Sequence, residues 1–590
     1  SAMRDRGPDQ ENVVSFPELG AGLAVRRLAL VDLDGGGQPA TNEDSTVLAL
    51  LNGEVYNHVA LRRELEGLGH RFRTRCDTEV LVHLYEQEGE RFLARLEGMF
   101  ALAILDLGRR RLLLARDGPG MKPLYYAPAA GGFAFASEVK ALFAAKLVEA
   151  RPDPAALDIY LGAGFVPAPR TAFAGVEKLV AGSFVVVDDA GARTESFWRF
   201  GYRNDAPPRS DREYVDELEL RLDAAVGSHL AADVPIGALV SGGWDSSLVA
   251  TFAARRLGTP LQTFSLVFPE NPDSDESRHS RRMAEWLGAD HREIEYRPAM
   301  LPELLPRLVR LMDEPVVASP IALTSCLASL AGAHVKGVLG GEGADELFGG
   351  YQYFRRPFPY WLRRVMPKTL ARLGARHASD PRIRRWMRIA AAPTERAADA
   401  EWTRFLAPDA KRSLLRPELR AGGPDLAPLL ISDELEASCR DHLQRRLAYD
   451  IRGRLADAIL LKYDKLGMNH ALEARLPFLD RGVIELAERL PSHLKVHRGR
   501  EKIVVAELAR RHLPPEIAAR RKQALAYPRG SWAKNPAGER LRQVLLDAAH
   551  HGPFLREPLE RFLSAPPTPM RDDRPFAALV TLQVWWNEFF

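Results

Sequence analysis

The sequence predicts an α+β half followed by an α/β half built on a doubly wound parallel sheet. Three observations carry this reading. Residues 21–140 read as short strands and tight turns with few helices. Beyond residue 212, short apolar runs alternate with helical stretches, the pattern of a parallel sheet covered on both faces. Between the two, "GYRNDAPPRSDR" (201–212) is polar, holds two prolines and has no periodicity. The boundary is placed there, giving units at 1–205 and 206–590, and 590 residues suit two or more domains.

Taken in order, "STVLALLNGEVYN" is an apolar strand running into a turn signal at Asn52-Gly53. "GMFALAILDLGRRRLLLARD" reads as two strands joined near Gly108, and "GGFAFASEVKALFAA" as a strand and a helix. "EYVDELELRLDAAVGSHL" has apolar residues at helical spacing. "IGALVSGG", "LQTFSLVF" and "VKGVLGGEG" are the strands of the second half, the first expected to end at Val240 with a helix from about Ser246. Residues 352–440 are helical and arginine-rich, broken by Pro357, Pro359 and Pro367.

Composition narrows the function. Lysine and arginine (81) nearly balance the acids (78), so nothing points to nucleic acid or an anionic membrane as partner. No apolar run spans a bilayer and no signal peptide is legible at the start. Cys76, Cys326 and Cys439 are widely spaced and form neither a disulfide framework nor a zinc motif, which fits a reducing cytoplasm.

Two segments carry chemistry. In "VPIGALVSGGWDSSLVA", Ser241, Gly242 and Gly243 let the backbone turn and approach a ligand closely. The helix that follows aims its N–H groups and positive dipole end at the loop, which suits a polyphosphate. Asp245 adds a carboxylate that is welcome beside phosphates only with a divalent cation. In "VLGGEGADELFGGY", a turn through Gly340, Gly341 and Gly343 presents Glu342, Asp345 and Glu346 at a strand's C-terminal end, where open α/β sheets bind ligands. Asp345 is placed to share Mg²⁺ with Asp245, and Glu342 to act as a general base.

The first segment resembles the SGGxDS loop of ATP-pyrophosphatases, which cleave ATP between the α and β phosphates; the glycine-lysine-serine ending of a Walker loop is absent. Trp244, at the variable position, is bulkier than the aliphatic residue expected. The second segment resembles the SGEGADELFGGY motif of asparagine synthetases. The likeness continues in "LLKYDKLGMNHALEARLPFLD" (461–480), "GREKIVVAELARRHLPPEIAARRKQ" (499–523), "RGPD", "NGEVYN", "ARDGPGMKPLYY" and "SEVKAL", and so covers nearly the whole chain outside 352–440. The resemblance implies that Asp245 and Asp345 bind Mg²⁺ and that Ser241, Gly242, Gly243 and Ser246 hold pyrophosphate. It places Leu239, Leu266 and Gly341 around adenosine, makes Glu342 the base for the incoming amine, and gives Lys502 the charge on the α-phosphate.

"AVRRLALVDLDGGGQPA", "NGE" and "CDTEV" resemble the glutamine pocket of class II glutamine amidotransferases, which implies a four-layer amidohydrolase (Ntn)-like α+β domain before an ATP-pyrophosphatase domain. Arg27, Asn52, Gly53, Glu54 and Asp77 then hold glutamine: Arg27 its carboxylate, Asp77 and Glu54 its ammonium, Asn52 and Gly53 an oxyanion hole. That family uses an N-terminal cysteine, and the first cysteine here is Cys76; Val25 stands where a histidine is common. The pocket's retention leads us to expect a native Met-Cys-Gly segment ahead of the sequence given, rather than natural loss.

The expected reaction is that of an ATP-dependent carbon–nitrogen ligase, forming AMP. A carboxylate, aspartate by default, is adenylated with release of pyrophosphate and then amidated by ammonia or glutamine-derived nitrogen. The partners are small molecules; a homodimer is left open. The alternative is a β-lactam synthetase or lasso-cyclase-like ligase of specialised metabolism. A missing cysteine favours it, while Glu342, where β-lactam synthetases carry tyrosine, disfavours it. Ala318, Ser319 and Pro320 depart from the asparagine synthetase string and leave the acid open. A catalytically dead scaffold is disfavoured by the retention of Asp245, Glu342, Asp345 and Lys502.

Overall fold

The computed structural model describes residues 2–129, 132–205, 207, 209–355, 361–378, 380–421, 429–520, 536–547, 551–564 and 573–590. Pro357 and Pro359 lie outside them, as do the side chains of Ala318 and Ser319. Pro367 is the residue immediately before the helix Lys368–His377.

The first half opens with an antiparallel hairpin, β1 (Gln10–Phe16) and β2 (Ala21–Arg27). A six-stranded antiparallel sheet follows, built from β3 (Ala40–Thr41), β4 (Val47–Val55), β5 (Gly98–Asp106), β6 (Arg111–Arg116), β10 (Ser183–Asp188) and β11 (Gly191–Ser196), in the order β11-β10-β6-β5-β4-β3. A smaller sheet joins β7 (Tyr125–Ala129), β8 (Gly132–Ala136) and β9 (Glu177–Lys178). Val47, Ala49, Leu51 and Val55 of β4 meet the helices His58–Gly67 and Asp77–Glu88 in one apolar cluster.

Asn52-Gly53 is not a turn. β4 runs straight through it, with Asn52 opposite Ala101 and Gly53 opposite Phe100. Gly53 is there for a different reason: at φ 131°, a Cβ on it would lie 1.9 Å from the Met99 carbonyl oxygen. The glycine marks a close approach of two strands, one of the reasons a glycine stands inside a strand.

The second half is organised by five parallel strands: β12 (Ile236–Leu239), β13 (Gln262–Val267), β14 (Asp290–Glu295), β15 (Gly337–Leu339) and β16 (Glu473–Arg475). Their order is β14-β13-β12-β15-β16, so the winding reverses beside β12. Side chains alternate between two cores. Ile236, Ala238 and Leu339 pack with Leu248 and Val249 of the helix Trp244–Arg256. Phe264, Leu266 and Val338 pack with Leu305, Val309 and Ile321 of the helices Leu301–Met312 and Ala318–Gly332. Apolar layers on both faces are what a parallel sheet requires. The helix Asp211–His229 is entered through a capping box in which the Ser210 and Glu213 side chains satisfy each other's backbone N–H groups.

A buried ionic chain joins the halves. Arg6 meets Asp464 at 2.7 Å and Glu138 at 3.3 Å. Lys122 lies 3.3 Å from both Asp464 and Glu473. Arg475 meets Glu473 at 3.0 Å and Glu54 at 3.2 Å. All of these side chains are buried, where charges persist only when paired.

Candidate active site

The reversal beside β12 opens the sheet's C-terminal edge, the usual ligand position in this architecture. β12 ends at Leu239, and the helix begins at Trp244, two residues before the expected Ser246, with Gly243 as N-cap. The intervening loop is closed by its own hydroxyls. Ser246 Oγ accepts from the Ser241 N–H at 3.2 Å and lies 3.1 Å from Ser241 Oγ, which accepts from the Gly243 N–H at 3.2 Å. Gly242 has φ 71°, and a Cβ on it would fall 2.5 Å from His279 Cβ. Trp244 has a structural role: its indole N–H donates to the Ile517 carbonyl at 3.1 Å and its ring packs on the core.

The acidic turn after β15 packs directly on this loop. A Cβ on Gly341 would lie 2.7 Å from Ser246 N and 2.9 Å from Asp245 Cβ, so only glycine permits the contact. Gly343, at φ 91°, turns the chain into the short helix Ala344–Phe348, which carries Asp345. The Gly340 N–H donates to the Arg475 carbonyl at 2.9 Å, tying the turn to the end of β16.

Lys502 reaches both loops. Its ammonium contacts Asp345 and lies 2.5 Å from Asp245 Oδ2. The residue is 1% exposed and sits at φ 49° immediately before the helix Ile503–His512. Burial works to lower the lysine's pKa, but the two carboxylates outweigh it and hold the ammonium charged. Asp245 Oδ1 is buried and, among the described residues, has no hydrogen-bond partner. Two carboxylates with one cation between them, and an orphan oxygen beside them, are a donor set that fits a further divalent cation.

Glu342 stands on the same turn. Burial and the charge of Asp245 push its carboxyl above the ordinary range, opposed by the Tyr463 hydroxyl and the charge of Lys462. Its Oε2 is buried and, among the described residues, has no hydrogen-bond partner. Lys462 lies 4.8 Å from the centre of the Tyr463 ring and is itself brought down to about 8 by burial, against the pull of Glu342. Sequence reasoning missed Tyr463 and Lys462, although both fall inside a motif it singled out. Glu346 is turned away: it bonds Tyr351 and lies 3.8 Å from Arg454. Leu239 and Leu266, on adjacent strands, face one apolar cluster.

In the first half, Asn52, Gly53 and Glu54 lie on β4 and Asp77 opens the helix Asp77–Glu88. Asp77 Oδ2 accepts from the Val55 N–H at 2.9 Å. Asn52 Oδ1 accepts from Arg6 at 3.2 Å, while its amide Nδ2 is buried and has no partner among the described residues, a donor available to a ligand oxygen. Arg27 donates to Gln10 and to the carbonyls of Val31 and Asp32. Glu54 is paired with Arg475, a tie the sequence did not reveal. The Cys76 thiol is pushed up to about 12 by burial and by Asp77, the opposite of an activated nucleophile.

Comparison with known proteins identifies the family. Residues 217–587 match the asparagine synthase family and residues 1–198 the glutamine amidotransferase domain. An asparagine synthetase [glutamine-hydrolyzing] 1 of Bacillus subtilis is 32% identical over 94% of this chain and 88% of its own length. A second one from that organism, number 3, is 29% identical over 89% and 83%. An amidase, chyE, of Penicillium rubens is 28% identical over 92% and 85%. These matches do not favour the ring-closing alternative. The chain belongs to the asparagine synthase family, joined to a glutamine amidotransferase domain.

Proposed function

We propose that this chain makes an amide from a carboxylic acid, aspartate by default, in two steps on the C-terminal edge of the parallel sheet. The observation that carries the reading is the convergence of Asp245, Asp345 and Lys502 from three separate motifs onto one point. An acid oxygen attacks the α-phosphorus of ATP, the bond to the β-phosphate breaks, and pyrophosphate leaves. The N–H groups and hydroxyls of Ser241, Gly242, Gly243 and Ser246 bind the departing unit at a helix N-terminus. Leu239, Leu266 and Gly341 border the adenosine. Lys502 supplies a fixed positive charge for the α-phosphate, in a site too buried for water to screen it.

Asp245 and Asp345 are the residues that would hold Mg²⁺, which when bound offsets phosphate charge. Ammonia, or nitrogen derived from glutamine, then attacks the acyl carbon and AMP leaves. Glu342 takes the proton, its carboxylate made a stronger base by burial. Arg27, Asn52, Gly53, Glu54 and Asp77 form the glutamine pocket, with the Asn52 amide as an oxyanion donor. The doubly wound ATP-pyrophosphatase layout and the units at 1–205 and 206–590 belong to the same reading.

Turnover is expected to release AMP and pyrophosphate in equal amounts, dependent on the acid added. Anion-exchange chromatography of the nucleotide products decides this, and ADP with phosphate would rule the reading out. An ATP–pyrophosphate exchange screen across amino acids and larger carboxylates identifies the acid.

A further inference from the structure

We propose that Glu43, His70, His83 and Glu86 form a tetrahedral zinc site on the amidotransferase half. The four residues come from three segments: Glu43 follows β3, His70 lies between two helices, and His83 and Glu86 are one turn apart on the helix Asp77–Glu88. Each offers a ligand atom, all within 4.8 Å of one another. His70 Nδ1 and His83 Nδ1 face each other at 3.2 Å. His83 Nδ1 lies 3.5 Å from Glu43 and 3.6 Å from Glu86, and His70 Nδ1 lies 4.0 Å and 3.9 Å from the same two carboxylates. Zinc bound at 2.0–2.1 Å to four tetrahedral ligands separates them by about 3.4 Å, so the observed separations of 3.2–4.0 Å bracket the expected edge.

Protons alone satisfy this cluster poorly. One N–H on His83 Nδ1 serves one of three acceptors crowded around it. Protonating both rings would set two N–H groups head-on at 3.2 Å. A divalent cation at the centre receives all four donors at once, and two carboxylates with two neutral imidazoles balance its charge. Two imidazoles in the set select zinc over magnesium or calcium.

The surroundings are those of a supported ligand set. Glu86 Oε1 accepts from Asn42 at 2.7 Å, leaving Oε2 turned inward. Glu43 Oε1 accepts from the Arg71 N–H at 2.8 Å. The buried His83 ring directs Nε2 toward Glu79 Oε1, 3.9 Å away, and Glu79 is fixed by the backbone N–H groups of Arg73 and Thr74. A carboxylate behind a histidine ligand, with hydrogen bonds on the ligating carboxylates, orients such ligands. The site would pin loop 70–76 to the helix that begins at Asp77, and so stiffen one wall of the glutamine pocket.

The test uses the full chain, stripped of metal and titrated with Co²⁺. The expected result is one equivalent bound with the intense visible bands of tetrahedral cobalt, displaced by one equivalent of Zn²⁺. Glu86→Gln and His70→Ala, at partly exposed positions, are expected to weaken that binding more than about 100-fold, beyond the loss typical of a supporting residue. Circular dichroism checks that each variant is folded. Absence of a tetrahedral spectrum in the unaltered chain overturns the proposal. So does a spectrum that survives both substitutions, since the ion would then be bound elsewhere, as at Asp245 and Asp345.

Discussion

Asp245→Asn is expected to lower acid-dependent ATP–pyrophosphate exchange by on the order of 10³-fold, about 4 kcal/mol of transition-state stabilisation. The fold should survive. Asp245 and Asp345 repel each other and share a single ammonium, so neutralising one leaves Lys502 and Asp345 as a balanced pair. Removing the charge of Asp245 therefore eases that repulsion while depriving MgATP of a partner. Asp345→Asn should behave the same way. The check is exchange of labelled pyrophosphate alongside the melting temperature of each variant. Exchange within a few-fold of the unaltered enzyme would contradict the assignment of these carboxylates.

Glu342→Gln should divide the reaction at its midpoint. Lys502 forms its ion pairs with Asp245 and Asp345, which Glu342→Gln leaves in place, so adenylation is expected to persist. Amide formation should fall on the order of 10²–10⁴-fold, the usual cost of losing a general base. The pH profile gives a second reading. A base must be ionised to accept the proton. Since burial raises the Glu342 carboxyl, the amidation rate should climb with pH through a value above the ordinary carboxylate range and lose that step in Glu342→Gln. Equal losses in exchange and amidation would sink the base assignment.

The parts of this molecule that read well from sequence are those where local pattern and chemistry coincide. β12, β13 and β15 are short apolar runs because both of their faces are covered, and the glycines beside them permit the loop contacts. β14 (Asp290–Glu295) was not anticipated. It is an edge strand, and its polar "DHREIE" carries no apolar alternation. β16 is three residues long and lies inside a motif read only for its family likeness. Lys502, taken alone, looks like a surface lysine in a charged helix, yet it is buried because its partners arrive from residues 245 and 345. Pairings over such separations leave no local signature. The same holds for Glu54 with Arg475, and for the four residues of the zinc cluster, which lack any regular ligand spacing.

The Arg475–Glu54 contact sets a rule for recombination. Arg475 sends its side chain to Glu54 on β4 while its carbonyl holds Gly340, two residues before Glu342. A hybrid enzyme that takes residues 1–198 from one source and 217–587 from another splits the Arg6–Asp464, Lys122–Asp464, Lys122–Glu473 and Glu54–Arg475 contacts between its parents. A donor lacking an acid at position 54, or a partner lacking a base at 475, would unbalance this buried network at a cost of up to about 3–5 kcal/mol, Arg475 keeping only Glu473 in the first case. Interchangeable halves must therefore be matched at Arg6, Glu54, Lys122, Asp464, Glu473 and Arg475 before their active sites are considered. Hybrids mismatched at these positions should show a lowered melting temperature, and restoring the missing partner alone should recover it.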